Sequence, residues 1–202
     1  MNVRTRDFVS ESQEIDLARQ GDEAAWERLI RLHQEPVFRL AYLLLGDPAD
    51  AEDAAQETFI RAYRALDRFD ASRPLRPWLL QITANFSRNR RRALRRYWAA
   101  LQRHLQKEQP PTQDVEARVG RRMQSKRLWQ AIRQLRPDDQ EIIYLRYFLE
   151  LPVSETAEAT GIAEGTVKSR TSRALGRLRE VIERDYPDLN REGQDGNRYV
   201  EY

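Results

Sequence analysis

Gly165 to Arg170 reads GTVKSR and opens a basic stretch that continues through Ser172, Arg173, Arg177 and Leu178. Hydroxyl, ammonium and guanidinium groups at these positions can donate to phosphate oxygens and to base edges in a DNA major groove. Between Glu164 and Arg179 there are five Lys/Arg and one acid, so positive charge is concentrated here. Val167, Thr171, Ala174 and Leu178 recur at three- and four-residue steps, share one helical face and turn it towards a core. Lys168, Ser169, Ser172 and Arg173 then point away from that core. A second cationic run lies between Asn85 and Lys107: eight Lys/Arg (Arg88, Arg90, Arg91, Arg92, Arg95, Arg96, Arg103 and Lys107) and no acid. An asparagine beside arginines can bond a base edge while the guanidinium groups hold the backbone. A third concentration has the opposite sign, with five acids (Asp47, Asp50, Glu52, Asp53, Glu57) and no base from Asp47 to Glu57. Acids in the first turns of a helix are favourable by about 0.3–1 kcal/mol each, which accounts for Asp47 to Asp53. Asp53, Gln56 and Glu57 carry on along one edge at three- and four-residue spacing, a polar patch suited to a basic partner.

These groups need helices to position them. Ser154 to Thr160 (SETAEAT) is a short helical stretch and Gly161-Ile162-Ala163 a compact turn, so with the basic helix they form a helix-turn-helix. From Asp22, the residues Trp26, Leu29, Ile30, His33, Val37, Leu40, Ala41 and Leu44 repeat at helical spacing, with Pro36 marking a kink or a hairpin break. Gly46 ends this element, and Asp47-Pro48 starts the next in the order of a cap followed by proline at the first helical position. Ala51, Ala55, Phe59, Ala62, Tyr63 and Leu66 are expected on its core side. After the polar connection Ala71-Ser72-Arg73-Pro74, Trp78, Leu79, Ile82 and Phe86 mark a further helix, in which Trp78 is expected to pack in the core. Residues from about Leu101 to Gln124 lose clean periodicity and contain Pro110, Pro111 and Gly120, the signature of a linker. Leu128, Trp129, Ile132 and Leu135 begin a second helical unit, Pro137 starts its next helix, and Ile142, Ile143, Leu145 and Phe148 fill that helix. After Asp185 the chain is polar and expected to fray. The fold class read from this is all-α: two small helical domains joined by a flexible linker, the second containing the helix-turn-helix.

The composition of the 202 residues, 40% hydrophobic, 33% charged and only 8 Gly, suits amphipathic helices rather than sheets. The formal charge is +3 and the pI near 9.3, and the segregation of charge says more than the total. Without cysteine there is neither a disulfide framework nor a thiolate metal site, and the reducing cytoplasm is the natural home. No run approaches the roughly 20 apolar residues needed to cross a bilayer, so membrane insertion is not expected. An enzyme reading would make the acidic run a magnesium site for phosphoryl or nuclease chemistry. No convergent base or nucleophile accompanies it, and His33 and His104 read as isolated. No cofactor is implied.

The segment AEDAAQETF (Ala51 to Phe59), the PWLLQITAN helix (Pro77 to Asn85) running into basic residues, the linker and GTVKSR together resemble bacterial RNA polymerase sigma factors. The match is to the short form of the extracytoplasmic-function group. Residues 12–97 resemble the first sigma domain and 126–184 the second, with 98–125 as linker and 185–202 as a disordered tail. The resemblance implies that Asp53, Gln56 and Glu57 contact core RNA polymerase. It implies that the loop Phe69, Asp70, Ala71, Ser72, Arg73 to Arg76, with Asn85, Arg88, Asn89 and Arg92, handles the melted minus-ten element of promoter DNA. It implies that Thr166, Lys168, Ser169, Ser172, Arg173 and Arg177 serve the duplex minus-thirty-five element, and that a separate anti-sigma protein restrains the chain. The sequence departs from the family pattern at Pro152, where a capping Ser or Thr is usual, at Thr156, Thr160 and Thr171, which replace aliphatic core residues, and at Leu175, which replaces a basic one. A looser second domain is the expected consequence. The competing reading is a helix-turn-helix regulator that binds duplex DNA without being a polymerase subunit, for which the acidic edge and the second basic run have no use.

Overall fold

The computed structural model describes residues 3–104 and 121–189. They form α1 (Val3–Arg19), α2 (Glu23–Leu45), α3 (Pro48–Ala65), a 3-10 turn (Leu66–Arg68) and α4 (Leu75–His104), then α5 (Arg121–Gln134), α6 (Pro137–Ile143), a π-helical turn (Tyr144–Phe148), α7 (Val153–Thr160) and α8 (Glu164–Asp185). Among the described residues there is no strand. The signals for starting and stopping helices act where the sequence places them. Asp22 accepts from Ala25 N (3.0 Å) and Asp47 from Asp50 N (2.9 Å), each satisfying an amide that the first helical turn leaves unpaired. Gly46 and Gly161 end α2 and α7 at φ 82° and 69°, a conformation that costs glycine nothing. Pro36 lies inside α2, which runs unbroken for 23 residues, so the hairpin alternative is excluded. The missing proline donor leaves the Leu32 carbonyl unpaired in the ladder, and Leu32 is on the exposed side, where water can replace it.

Ile15, Leu29, Val37, Phe59, Leu66, Phe69, Leu75 and Leu79 make the core of the first unit, and α2 approaches α3 through the small residues Ala41, Ala51 and Ala54. One expected core residue is elsewhere: Tyr63 is 47% exposed and lies against Trp26, ring centroids 5.2 Å apart, on the outer edge of α3. His33 is buried as its stripe predicts but is not isolated. Its Nε2 lies 2.7 Å from Glu11 Oε1, and the other Glu11 oxygen accepts from Leu75 N at 3.1 Å. One carboxylate thus joins α1 to α2 and caps the start of α4. Burial acts to raise the Glu11 pKa, but the hydrogen bonds from His33 and Leu75 and the charge of His33 outweigh it, and the carboxyl sits below its ordinary value.

In the second unit the three threonines that replace aliphatic residues do not loosen the packing by leaving hydroxyls unpaired. Thr156, fully buried, donates to Pro152 O (2.8 Å), Thr160 to Thr156 O (2.7 Å) and Thr171 to Val167 O (2.8 Å). Each hydroxyl uses the carbonyl one turn back, so burial strands no donor. The helix opened by Pro137 widens to a π turn over Tyr144–Phe148 and closes through Glu150, whose φ of 57° is the one positive value of a non-glycine among the described residues. The helical period of the sequence has no mark for that switch.

Helix reaches into both ends of the segment read as linker. Helix continues to His104 and resumes at Arg121, so the linker outside regular structure is shorter than 98–125, and residues 105–120 lie outside the described ones. The start of the expected tail is anchored: Tyr186 packs on the core and receives a hydrogen bond from Gln134, and Asp188 pairs with Arg127 at 2.6 Å. Residues 190–202 lie outside the described ones. The two units also share a core, since Leu40, Leu44, Leu80 and Ala84 of the first cluster with Ala131, Ile132, Leu145, Leu151 and Ala159 of the second.

The Glu11 clasp predicts a specific loss. Glu11→Gln should destabilise the protein by about 1.5–3 kcal/mol at pH 7, the usual range for a hydrogen bond to a charged group. Because the folded pKa is depressed, this contribution is present above the unfolded value near 4.5 and disappears as pH falls through the folded value. Denaturant titrations at pH 7 and pH 3.5 check it: the gap between variant and parent should shrink in acid.

Candidate nucleic-acid interface

α8 carries its expected stripe inward, with Val167 and Ala174 at 0% exposure and Leu178 at 9%. Thr166, Lys168, Ser169, Ser172 and Arg173 are all exposed on the opposite side, directly after the turn at Gly161. Two of these are steadied from within the helix: Ser169 Oγ donates to Thr166 O (3.1 Å) and Arg173 Nε to Ser169 O (3.2 Å). Arg177 is different. Its guanidinium donates to Asp139 Oδ2 at 2.6 Å, and Asp139 is 3% exposed, so Arg177 bridges α8 to α6 inside the second unit. Arg170 reaches the neighbouring Asp138 at 3.8 Å. The cost of burying the Asp139 charge is offset by a partner, and the partner is not available to a groove in this arrangement.

The loop from Phe69 to Arg76 is shaped by its own side chains. Asp70 Oδ1 accepts from Ser72 N (3.0 Å) and Ser72 Oγ (2.7 Å), an Asx turn that holds the Asp70 carboxyl below its ordinary pKa. Arg19 of α1 donates to the carbonyls of Leu66 (3.1 Å) and Phe69, fixing the loop from behind. Phe69 is buried against Trp78, centroids 4.7 Å apart. Trp78 belongs to the core cluster, as its place in the apolar repeat predicts, and also lines a cleft of about 510 Å³ with Phe69, Asp70 and Arg73.

Along α4 the expected set is brought onto one stretch but not left uniformly open. Asn85, Asn89 and Arg92 are exposed. Arg88 donates to Asn85 Oδ1 and to Glu141 Oε2, the latter at 3.1 Å. Arg90 pairs with Asp50 at 2.9 Å, which joins the basic run to the acidic one. The side chains of Arg95, Arg103 and Lys107 lie outside the described residues, as does that of His104. Glu141 is nearly enclosed, and burial pushes its carboxyl up in spite of Arg88.

The acidic run does not converge on a point. Asp50 turns to Arg90, Glu57 accepts from Arg61 Nε at 2.7 Å, and Asp53 and Gln56 face outward. Arg61 in turn sits 4.9 Å from the centre of the Phe86 ring. Two residues extend this edge that sequence reasoning did not assign to it: Ile60, 45% exposed, and Tyr63. Ile60 falls out of phase with the buried stripe, and that was the available signal.

Comparisons with known proteins show the family to which the chain belongs. Residues 29–97 match the family model for sigma-70 region 2 and residues 125–178 that for sigma-70 region 4. The sigma factor NccH of Alcaligenes xylosoxydans is 31% identical over 82% of this chain and 91% of its own length. The extracytoplasmic-function sigma factor SigW of Bacillus subtilis is 30% identical over 83% and 94%. The chain is an extracytoplasmic-function sigma factor. As in the family, region 2 here is α2 to α4 and region 4 is α5 to α8, so this sigma factor directs promoter recognition by RNA polymerase. The fold agrees: CnrH, solved with the cytosolic domain of CnrY, has a TM-score of 0.65 at 23% identity, covering 87% of this chain and 98% of its own. A Bartonella quintana sigma factor RpoE, solved with NepR, has a TM-score of 0.61 at 24% identity, covering 79% and 97%. Among the described residues of this sigma factor no helix is long and apolar enough to cross a membrane.

The bridge at Arg177 separates structural from exposed cations on α8. Arg177→Ala leaves the buried Asp139 charge unpaired and should lower stability by about 1–3 kcal/mol. Lys168→Ala and Arg173→Ala should change it by less than about 0.5 kcal/mol, as surface substitutions do. Thermal unfolding of the three variants measures the contrast.

Proposed function

We propose that the three surfaces divide the work of initiation. The exposed face of α8, through Thr166, Lys168, Ser169, Ser172 and Arg173, reads the duplex minus-thirty-five element, with donors placed for phosphates and base edges. The loop Phe69 to Arg76 and the residues Asn85, Arg88, Asn89 and Arg92 hold the melted minus-ten strand, an unstacked base entering the cleft beside Phe69 and Trp78. Asp53, Gln56 and Glu57, extended by Ile60 and Tyr63, dock on core RNA polymerase. Arg177 acts on DNA only by holding α8 in place. No step calls for a bond to be made or broken by the protein, so the chain acts by binding and not as an enzyme, and it works in the cytoplasm where polymerase and promoter are. An anti-sigma partner is proposed as well: the Bartonella fold relative was solved with the anti-sigma factor NepR.

The observation that favours a polymerase subunit over a free-standing regulator is the edge of α3. It exposes Asp53 and Gln56 beside Ile60 and Tyr63, a mixed charged and apolar strip that nothing else among the described residues covers. Asp53→Lys with Glu57→Lys should weaken binding to core polymerase by roughly tenfold or more, since like charge at an interface costs several kcal/mol. Helical content should stay the same by circular dichroism. Unchanged affinity for core enzyme in a pull-down or fluorescence titration would contradict the docking edge.

A further inference from the structure

The loop from Phe69 to Arg76 is gripped at both ends by one helix. Arg19 of α1 holds its entry: Nε donates to Leu66 O at 3.1 Å and Nη2 to Phe69 O, while Nη1 donates to Asp16 Oδ1 at 3.0 Å. Glu11, on the same side of α1 about two turns earlier, holds its exit. Its Oε2 accepts from Leu75 N at 3.1 Å and its Oε1 lies 2.7 Å from His33 Nε2. Between the two, Ile15 and Ala18 anchor α1 in the first core. Both residues precede residue 29, where the match to sigma-70 region 2 begins.

The charge at each end suits the backbone group it meets. Carbonyls at the end of a helical turn lack amides to pair with, and amides at the start of a helix lack carbonyls. A guanidinium supplies donors to the first and a carboxylate supplies acceptors to the second. Leu66 O already accepts from Phe69 N at 3.1 Å and has one lone pair left, which Arg19 takes. Pro74, which precedes Leu75, has no side-chain oxygen with which to cap α4, so the acceptor comes from another helix. The middle of the loop closes on itself, through the Asx turn at Asp70 and through Arg73 N donating to Asp70 O at 3.0 Å. That local turn gives the loop a shape but not a direction. Phe69 packs on Trp78, and ring contacts tolerate sliding, whereas hydrogen bonds at the two ends fix angle as well as distance.

We propose that Arg19 and Glu11 are positioning residues for the minus-ten strand: α1 sets the direction of the loop against α4, and with it which unstacked base the cleft beside Phe69 and Trp78 accepts. The proposal rests on the assignment of that loop to the melted strand. Each side chain acts through a backbone group at one end of the loop. A loop already held in its bound shape loses less freedom on meeting a flexible strand, so the grip from α1 contributes to selectivity as well as to folding.

Holoenzyme reconstituted with the full-length chain is titrated onto promoter DNA mismatched across the minus-ten element, with each unpaired base varied in turn, and thermal unfolding is measured on the same variants. Arg19→Met removes the donors and keeps an unbranched side chain. It should reduce discrimination among the unpaired bases by roughly three- to tenfold, with affinity for a fully paired fragment carrying the upstream element unchanged. Arg19→Lys, whose single ammonium cannot reproduce the fork of the guanidinium, should fall between parent and Arg19→Met. Glu11→Gln lowers stability but keeps an oxygen for Leu75 N, so it should keep the discrimination. Discrimination that simply follows the loss of stability across these variants overturns the positioning role. Full discrimination by Arg19→Met, while Arg73→Ala within the loop weakens bubble binding, overturns it too and leaves the strand assignment standing. If Arg19→Met and Arg73→Ala both leave bubble binding and discrimination untouched, the strand assignment fails and the proposal with it. Should Arg19→Met not fold, Arg19→Lys set against Glu11→Gln decides by the same criterion.

Discussion

α4 is the element on which the rest depends. A single 30-residue helix supplies Leu75 and Leu79 to the core of the first domain, Leu80 and Ala84 to the core shared with the second, and Asn85, Arg88, Asn89 and Arg92 to the cationic surface. These roles fall on different faces and different turns of one rod, so anything that rotates or unpins it disturbs all of them together. Its first turn is accordingly held from several directions: by the Glu11 carboxylate at Leu75 N, by the rigid Pro74 and Pro77 on either side, and by the loop that Arg19 ties to the 3-10 turn. Further on, the hydroxyls of Thr83 and Thr58 lie 3.2 Å apart in the buried seam with α3, each also bonded to a carbonyl one turn back. Rigidity here serves binding, since a preformed cationic rod loses little conformational freedom when it meets a nucleic acid.

Charge in this molecule is arranged by use. Several acids stand where a helix begins, complete a bridge between helices, or lie on the outward edge of α3. Arg90 with Asp50 and Arg177 with Asp139 knit neighbouring helices within a domain. Arg73 with Glu158 and Arg88 with Glu141 join one domain to the other. Of these, the more exposed pairs, Arg90–Asp50 and Arg73–Glu158, contribute little to stability, on the order of 0–1 kcal/mol, whereas Arg88 and Arg177 each offset a buried carboxylate. Their value lies in which partner an arginine has, and a cation held by a carboxylate can be transferred to a phosphate at small net cost. A strongly apolar contact offers no such exchange.

Much of the architecture was legible because its signals are local. Asp47-Pro48, Gly46, Gly161 and Pro137 act through the backbone within a few residues, so their effect is written next to them. The stripe Val167, Ala174, Leu178 and the exposure of Lys168, Ser169, Ser172 and Arg173 follow from helical period alone. Periodicity, however, says that a face is buried and not against what. Leu40 and Leu44 read as the interior of one domain and turn out, with Leu80 and Ala84, to be half of a core shared with another. The role of Arg177 was hidden for the same reason, since Asp139 lies 38 residues away and no spacing rule links them. Tyr63 was read inward because it is aromatic and in phase, yet it rests against Trp26 on the exposed edge of α3. Glu11 stood in a stretch of polar residues with nothing to mark it as the clasp of three helices.

The division of labour we propose has α8 meet paired DNA while α4 with its loop holds opened DNA. The most direct measurement compares Arg173→Ala and Asn85→Ala holoenzymes on a fully paired promoter and on the same promoter mismatched across the minus-ten element, at one salt concentration because phosphate contacts make affinity salt-dependent. Arg173→Ala should lose roughly 1–3 kcal/mol of binding on both templates, as expected for a groove contact. Asn85→Ala should keep upstream duplex binding and fail mainly at opening. Equal rescue of both variants by the mismatch would contradict the division.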